Sequence, residues 1–166
     1  MRKGRLSLLY CATVMLIVGS SHGWASDSPL KLVISTVPGV RYSRDAMPIK
    51  VTFSNTSDKS VRILDVFQQR EALPVFFRFE IKSANGTYVP IPGGGKIDLP
   101  KNYQRYAELA KGQKYRLTVN LSEYIKPEMR LKKGPYTVTL TYSNQYGDRC
   151  FQGQLTSNSI QMNLEK

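Results

Sequence analysis

The fold is decided by the stretch Leu131-Lys132-Lys133-Gly134-Pro135-Tyr136-Thr137-Val138-Thr139-Leu140-Thr141-Tyr142. Its large side chains alternate strictly with threonines: one set is Tyr136, Val138, Leu140 and Tyr142, and the other is Thr137, Thr139 and Thr141. Successive side chains of a β-strand point to opposite faces of the sheet. The alternation therefore predicts a strand with one buried face and one face in water.

The residues that lead into this strand resemble a known turn motif. Leu131, Gly134 and Tyr136 form a Leu-x-x-Gly-x-Tyr run, which resembles the tyrosine corner of immunoglobulin-like sandwiches. In that motif the tyrosine hydroxyl bonds back to the connection that precedes the strand. The resemblance implies the same bond for Tyr136.

The same alternation recurs outward from this stretch in short segments separated by turn residues. We predict strands near residues 30–34, 47–53, 61–66, 75–81, 87–89, 103–109, 115–121, 150–155 and 160–164, with the last two forming one bent strand. Residues 55–59 and the pair Asn85-Gly86 are turn sequences. A single helical turn is predicted over residues 122–129, with Ser122 as its cap.

This pattern predicts the fold class. Short strands with turns between them and almost no helix favour an all-β, immunoglobulin-like, two-sheet antiparallel sandwich of about seven to nine strands. A closed barrel is the alternative. Neither a repeat nor a linker divides residues 26–166, so we expect one domain there.

Residues 1–25 are predicted to be a signal peptide. Arg2, Lys3 and Arg5 form a basic start, an apolar run follows, and Gly23 and Ala25 are small residues at the positions a signal peptidase reads. The apolar run of about 13 residues is shorter than the roughly 20 that cross a bilayer as a permanent helix. We therefore expect a periplasmic or secreted protein without a permanent membrane span; an uncleaved membrane anchor is the alternative.

Removing this segment takes away His22, Trp24 and Cys11, and leaves Cys150 as the one thiol. An intramolecular disulfide is then excluded, which favours a bacterial exported protein over a eukaryotic one. Without an imidazole, catalysis by Ser-His-Asp or Cys-His and a histidine-based zinc site are excluded. The carboxylates are scattered, so we predict a chain that is not an enzyme and uses no metal or cofactor.

The charge balance is strongly basic. The full chain has 24 Lys and Arg against 12 Asp and Glu, and its formal net charge is +12. Such a surface favours an acidic protein partner, an anionic polymer of the cell envelope or a lipid surface. The densest run of cations is Lys126, Arg130, Lys132 and Lys133. No motif of a nucleic-acid reader is present, so nucleic acid is not an expected partner.

Four turn sequences resemble those of small exported sandwich domains. They are residues 55–61, residues 109–113, residues 121–124 leading to Gly134-Pro135-Tyr136, and residues 153–158. Their order resembles the β-sandwich that precedes the catalytic module of deuterolysin-type and peptidyl-Lys zinc metallopeptidases, and more loosely the BsuPI-type proteinase-inhibitor domains. The sequence has no His-Glu-x-x-His run, so no catalytic residue carries over. The resemblance implies an accessory domain.

Two long connections, residues 65–74 and 88–106, are the predicted binding loops. Long loops on a rigid sandwich commonly carry binding, and Arg and aromatic residues dominate interface energies. The candidate binding residues are Phe67, Gln69, Arg70, Tyr88, Tyr103, Arg105 and Tyr106. Packing of these aromatic residues onto the ends of the sandwich is the alternative.

Cys150 is a candidate reactive thiol. The neighbouring Arg149 would favour its thiolate and make it nucleophilic or able to form an intermolecular bridge. The alternative is a small apolar residue packed in the core.

These observations lead to one functional expectation and one alternative. We expect an exported, non-enzymatic protein-binding domain that restrains a peptidase or a secreted toxin, as inhibitors and immunity proteins do. The alternative is a structural or adhesion component of the envelope that binds an anionic polymer through its basic surface.

Overall fold

The structure is a computed structural model that describes residues 28–65, 73–89, 91, 97–101, 104–125, 129 and 131–165. The predicted signal peptide lies outside these residues. Within the described ranges, no helix has the length and apolar composition that crossing a bilayer requires.

Antiparallel strands dominate the described residues. In chain order they are β1 (Leu30–Thr36), β2 (Pro48–Asn55), β3 (Val61–Leu64), β4 (Phe77–Ser83), β5 (Tyr88–Val89), β6 (Tyr106–Leu109), β7 (Lys114–Asn120), β8 (Gly134–Asn144), β9 (Gly153–Thr156) and β10 (Ile160–Leu164). A single α-helical turn, α1 (Leu73–Phe76), precedes β4, and a 3-10 turn (Leu121–Tyr124) follows β7. The described part thus contains ten strands, more than the predicted seven to nine, because the predicted single last strand is divided into β9 and β10.

The strands form the predicted two-sheet, immunoglobulin-like sandwich. One sheet has the order β1-β2-β7, and the other has the order β10-β8-β4-β5, with β9 paired to β8 beyond the end of β10. Strands β3 and β6 pair with each other in a separate two-stranded ribbon. In the chain, β3 lies between β2 and β4, and β6 lies between β5 and β7. The chain changes sheet three times, between β2 and β4, between β5 and β7, and between β7 and β8, and such crossings are typical of these sandwiches.

The alternation that predicted β8 is the packing pattern of the core. Tyr136, Val138, Leu140 and Tyr142 are all buried, and the threonines between them are more exposed. The two sheets meet through aromatic rings: Phe53 of β2 makes an edge-to-face contact with Tyr142 at 5.0 Å and stacks on Phe77 of β4 at 6.3 Å. Such ring pairs stabilise the fold by more than the burial of their apolar area alone.

The tyrosine corner is confirmed. The hydroxyl of Tyr136 donates a hydrogen bond to the carbonyl oxygen of Lys132, four residues upstream, over 2.8 Å. Gly134, between them, has a φ of 140°, a backbone conformation that L side chains rarely adopt. The bond fixes the entry of the chain into β8.

Tyr136→Phe is expected to lower the free energy of unfolding by about 1 to 1.5 kcal/mol, because the Lys132 carbonyl loses its partner while the ring stays packed. Urea unfolding followed by circular dichroism measures this loss.

Tyr124→Phe is the matched control. The Tyr124 hydroxyl is buried and has no hydrogen-bond partner among the described residues, and burial raises the pKa of this group. Removing it is expected to leave stability unchanged or to raise it by up to about 1 kcal/mol, since an unpaired buried hydroxyl is destabilising. Equal losses in both variants would contradict the role assigned to the corner.

Buried or half-buried asparagine side chains end three long strands. At the end of β2, Asn55 donates to the carbonyls of Lys59 and Leu109 at 2.7 and 2.8 Å and accepts from Ser57. Asn120 ends β7 by accepting from the Met47 amide at 2.8 Å. Asn55 is only 2% exposed, so its carboxamide bonds to the backbone of this turn rather than to water.

Asn144 ends β8 in the same way. It accepts from the amide of Tyr146 at 2.9 Å and donates to the carbonyl of Phe151 at 2.7 Å. Short polar side chains satisfy backbone groups locally where a strand stops. Asparagine at the strand ends therefore organises the loops of this sandwich.

The prediction of one bent last strand was wrong, because the segment forms two strands, of which the first begins at Gly153 rather than at residue 150. Strands β9 and β10 occupy the same edge of β8, with a break at residues 157–159. In the break, the carboxamide of Asn158 accepts from the Ile34 amide at 2.9 Å and donates to the Ile34 carbonyl at 3.0 Å. One side chain thus ties the first strand of one sheet to the last strands of the other.

Other predicted bounds were also wrong: the strand predicted over 103–109 begins at Tyr106, and the one predicted over 61–66 ends at Leu64. The strand predicted from residue 75 begins at Phe77, because α1 precedes it; Pro74 is tolerated in the first turn of a helix. The helical turn near residue 122 begins at Leu121, and Asn120 rather than Ser122 is its cap. The asparagine at the strand end therefore also starts the turn.

Candidate functional site

The structure separates the predicted binding residues into two places. Arg105 directly precedes β6 and Tyr106 is its first residue, whereas Tyr88 lies on β5 in the larger sheet. The other predicted residues, namely Phe67, Gln69, Arg70 and Tyr103, lie outside the described residues.

Tyr106 holds loops together. The guanidinium of Arg62 lies 3.8 Å from the centre of its ring. Its hydroxyl donates to Gln104 at 2.7 Å and accepts from the amide of Asp148 at 3.0 Å. The neighbouring Arg105 is exposed, and its carbonyl accepts from the Asp65 amide at 2.7 Å. These contacts fit the alternative in which the aromatic residue packs onto the sandwich.

Cys150 also lies near Arg62, whose charge acts on its thiol. Its thiol donates to the carbonyl of Tyr146 at 3.4 Å and packs against the core. Burial raises the pKa of the thiol, which outweighs the opposite effects of the Asn144 amide and the Arg62 charge. The positive charge that acts on the sulfur thus comes from Arg62 of β3 and not from Arg149. Since the thiolate is the nucleophilic form, these surroundings favour an unreactive, protonated thiol.

Tyr88 is the exposed aromatic residue of the larger sheet. Its side chain is 59% exposed, and no other large apolar or aromatic residue in the described ranges is as accessible. The ammonium of Lys82, its cross-strand partner, lies 4.5 Å from the centre of the ring. Lys82 in turn forms an ion pair with Glu80 at 2.8 Å.

The ion pair acts on both of its members. The hydrogen bond from Lys82 lowers the pKa of the Glu80 carboxyl, and the same bond raises the pKa of Lys82. The ion pair therefore favours the charged form of both groups, and the Lys82 cation lies over the Tyr88 ring.

Two clefts meet at Tyr88. The first has a volume of about 750 Å³ and lies along the edge of β4, with Phe77, Phe79 and Ile91 in its wall. The second has a volume of about 620 Å³ and lies between the β4–β5 turn and the tyrosine corner, with Leu131 and Pro135 in its wall. Tyr88 and Val89 line both clefts. We call this feature the Tyr88 ridge.

The Tyr88 ridge exists because β5 is short. Strand β5 pairs with only Ile81 and Lys82 of β4, so the first half of β4 has no strand beside it on that edge among the described residues. The Asn85-Gly86 turn places β5 there, as the sequence predicted, and Gly86 adopts a φ of 80°. The result is an exposed ring between two depressions at the edge of a sheet.

The described residues contain no cluster of three or more His, Cys, Asp or Glu side chains that could hold a metal ion. The chemistry that the Tyr88 ridge offers is apolar contact, a phenol hydroxyl and the paired charges of Glu80 and Lys82. This arrangement suits recognition of another molecule.

A second surface, on the smaller sheet, was not predicted from the sequence. Lys31 of β1, Lys50 of β2, and Lys114 and Arg116 of β7 are exposed on its outward side; we call this surface the basic face. The sequence has these cations at the outward positions of the three strands, but it did not predict that the strands are neighbours in one sheet. Of the predicted cluster near residue 130, Lys132 and Lys133 are exposed, and Lys126 and Arg130 lie outside the described residues.

Comparisons with known proteins add little. No protein-family model and no curated protein matches the chain. Among solved structures, it is similar to a β-glucosidase from Listeria innocua in complex with isofagomine, with 11% identity and a TM-score of 0.38 over 81% of this chain and 16% of the other. It is also similar to β-glucuronidase 2 from Bacteroides uniformis, with 16% identity and a TM-score of 0.33 over 81% of this chain and 13% of the other. The chain spans a small share of either enzyme, and this likeness carries no conclusion about activity.

Proposed function

We propose that this chain is an exported, non-enzymatic domain that binds another protein through the Tyr88 ridge. The observation that supports the proposal is the position of Tyr88, a 59% exposed ring between two clefts. Tyrosine is among the residues that most often carry the energy of a protein interface.

The surroundings of Tyr88 favour a protein partner. A segment of the partner that crosses the ridge would cover the ring and place side chains in the cleft on each side. The contact of Lys82 with the ring restricts its movement, so binding removes less conformational freedom. Charged Glu80 and Lys82 at the margin give the polar rim that such interfaces have.

The partner class follows from the turn motifs described above. Their resemblance to inhibitor and accessory sandwiches favours an exported peptidase or toxin, which this domain would hold in a restrained complex. Binding is then the whole activity of the domain.

The test is capture of partners from the periplasmic and secreted fractions of the native host, with the wild-type chain and Tyr88→Ala as baits. We expect one stoichiometric protein with the wild type. With Tyr88→Ala, its affinity is expected to fall about thirtyfold or more, because truncation of a central interface aromatic typically costs at least about 2 kcal/mol.

Two matched variants complete this experiment. Tyr88→Phe keeps the ring and should retain the partner, and Thr156→Ala, at the far edge of the same sheet, should bind as the wild type does. The complex should persist as salt is raised, since a packed interface is screened little. A partner held equally by Tyr88→Ala, or the absence of any stoichiometric protein, would contradict the proposal.

A further inference from the structure

We propose that the basic face of the β1-β2-β7 sheet is a second binding surface, independent of the Tyr88 ridge, that takes a linear polyanion with repeated carboxylate or phosphate groups, such as an acidic envelope glycan. The proposal stands on the arrangement of charge in this sheet.

The three strands carry cations and no anion. Strands β1, β2 and β7 together contain Lys31, Lys50, Lys114 and Arg116, and no Asp or Glu. None of these four cations forms an ion pair with another described residue. In the opposite sheet, by contrast, Lys82 is paired with Glu80. The β1-β2-β7 sheet therefore carries positive charge on its outward side that no carboxylate of these three strands balances.

The register brings the cations close to one another. Ser54 pairs with Lys31 on one side and with Lys114 on the other, so these two lysines share a row. Adjacent strands lie about 4.8 Å apart, which puts the lysine Cα atoms about 10 Å from each other. Arg116 follows Lys114 two residues along β7, at about 7 Å. These separations are close to the Debye length of about 8 to 10 Å, so the cations act on an anion together.

Hydroxyl groups fill the positions between the cations. The other outward residues of these three strands include Ser35, Thr52, Ser54 and Thr118, which can donate hydrogen bonds to carboxylate or phosphate oxygens. Val33 and Pro48 are the outward apolar residues of these strands, and both are only partly exposed.

This composition distinguishes among anionic partners. The centre of a protein interface is rich in aromatic residues and poor in lysine, and binding in a membrane interface uses apolar side chains that enter the lipid. The basic face has neither feature. A flexible, hydrated polyanion needs only repeated cations and hydroxyl donors, so it is the occupant that the face fits.

The test measures binding of the full chain to three probes: polygalacturonate for carboxylates, long-chain polyphosphate for phosphates, and dextran as the neutral control. The test variant is Lys31→Gln/Lys50→Gln/Lys114→Gln/Arg116→Gln. The matched control is Lys59→Gln/Arg78→Gln/Lys132→Gln/Lys133→Gln, which removes the same charge from exposed positions off the face.

We expect the wild type and the control to bind at least one polyanion but not dextran, with affinity that falls as salt rises. The face variant should bind at least about tenfold more weakly and with a flatter dependence of log K on log salt, by about one unit for each carboxylate or phosphate that the face no longer neutralises. Preference for one polyanion identifies the anionic group. The proposal would be overturned if the wild type bound neither polyanion, if the face variant bound as well as the wild type, or if both variants lost binding equally.

Discussion

Phe53→Ala is expected to lower the free energy of unfolding by about 3 to 5 kcal/mol, the range found when a fully buried aromatic ring is removed. Phe53 is fully buried and contacts rings of the opposite sheet, namely Tyr142 at 5.0 Å and Phe77 at 6.3 Å. Removing the ring leaves a cavity between the two sheets, which neighbouring side chains can fill only in part. A urea unfolding curve with an unchanged m-value measures the effect as a shift in midpoint.

The control for this prediction lies three residues earlier on the same strand. Lys50→Ala changes an exposed side chain of β2 and is expected to alter stability by no more than about 0.5 kcal/mol. If Phe53→Ala cost less than about 1.5 kcal/mol, well below the usual range for such a truncation, the aromatic contact between the sheets would not be the centre of the core.

Asn55→Ala is expected to lower the free energy of unfolding by about 2 to 4 kcal/mol, which is large for the removal of one polar side chain. The carboxamide donates to the carbonyls of Lys59 and Leu109 and accepts from Ser57. Alanine removes the bonds that this carboxamide makes to the Leu109 carbonyl and the Ser57 amide, beside a residue that is 2% exposed; the Lys59 carbonyl keeps a bond from the Ser57 hydroxyl. Thermal unfolding and hydrogen exchange of the 56–60 turn both measure the result.

Asn85→Ala is the comparison for Asn55→Ala. Asn85 also caps a turn, accepting from the Thr87 amide at 3.1 Å, but it is exposed. Water can replace its bond, so we expect a decrease of at most about 1 kcal/mol. Similar decreases at the two positions would show that burial does not set the value of these asparagines.

The fold was predictable because its signals are local. The alternation from Tyr136 to Tyr142 and the Leu-x-x-Gly-x-Tyr corner are read from neighbouring residues, and both match the structure. The boundaries were less predictable where a side chain acts over a distance. Asn120, rather than the predicted Ser122, starts the helical turn, because the same asparagine also receives the Met47 amide from 73 residues away.

The candidate site was predictable only in part. Tyr88 followed from the Asn85-Gly86 turn and the length of the next connection, whereas Tyr106 and Cys150 take their surroundings from Arg62, which is distant in sequence. The basic face requires that β1 and β7 flank β2. Strand order depends on which sheets pack together, and that is a property of the whole chain rather than of any segment.

The two hydrogen bonds between the Asn158 carboxamide and the backbone of Ile34 also affect self-association. An open strand at the rim of a sheet is a template onto which a second copy can add a strand, which is how many β-proteins polymerise. Here the amide and carbonyl of Ile34, in the middle of β1, are already occupied by one carboxamide. A second copy could not form a continuous row of backbone hydrogen bonds along β1, so we expect this asparagine to disfavour the growth of fibres.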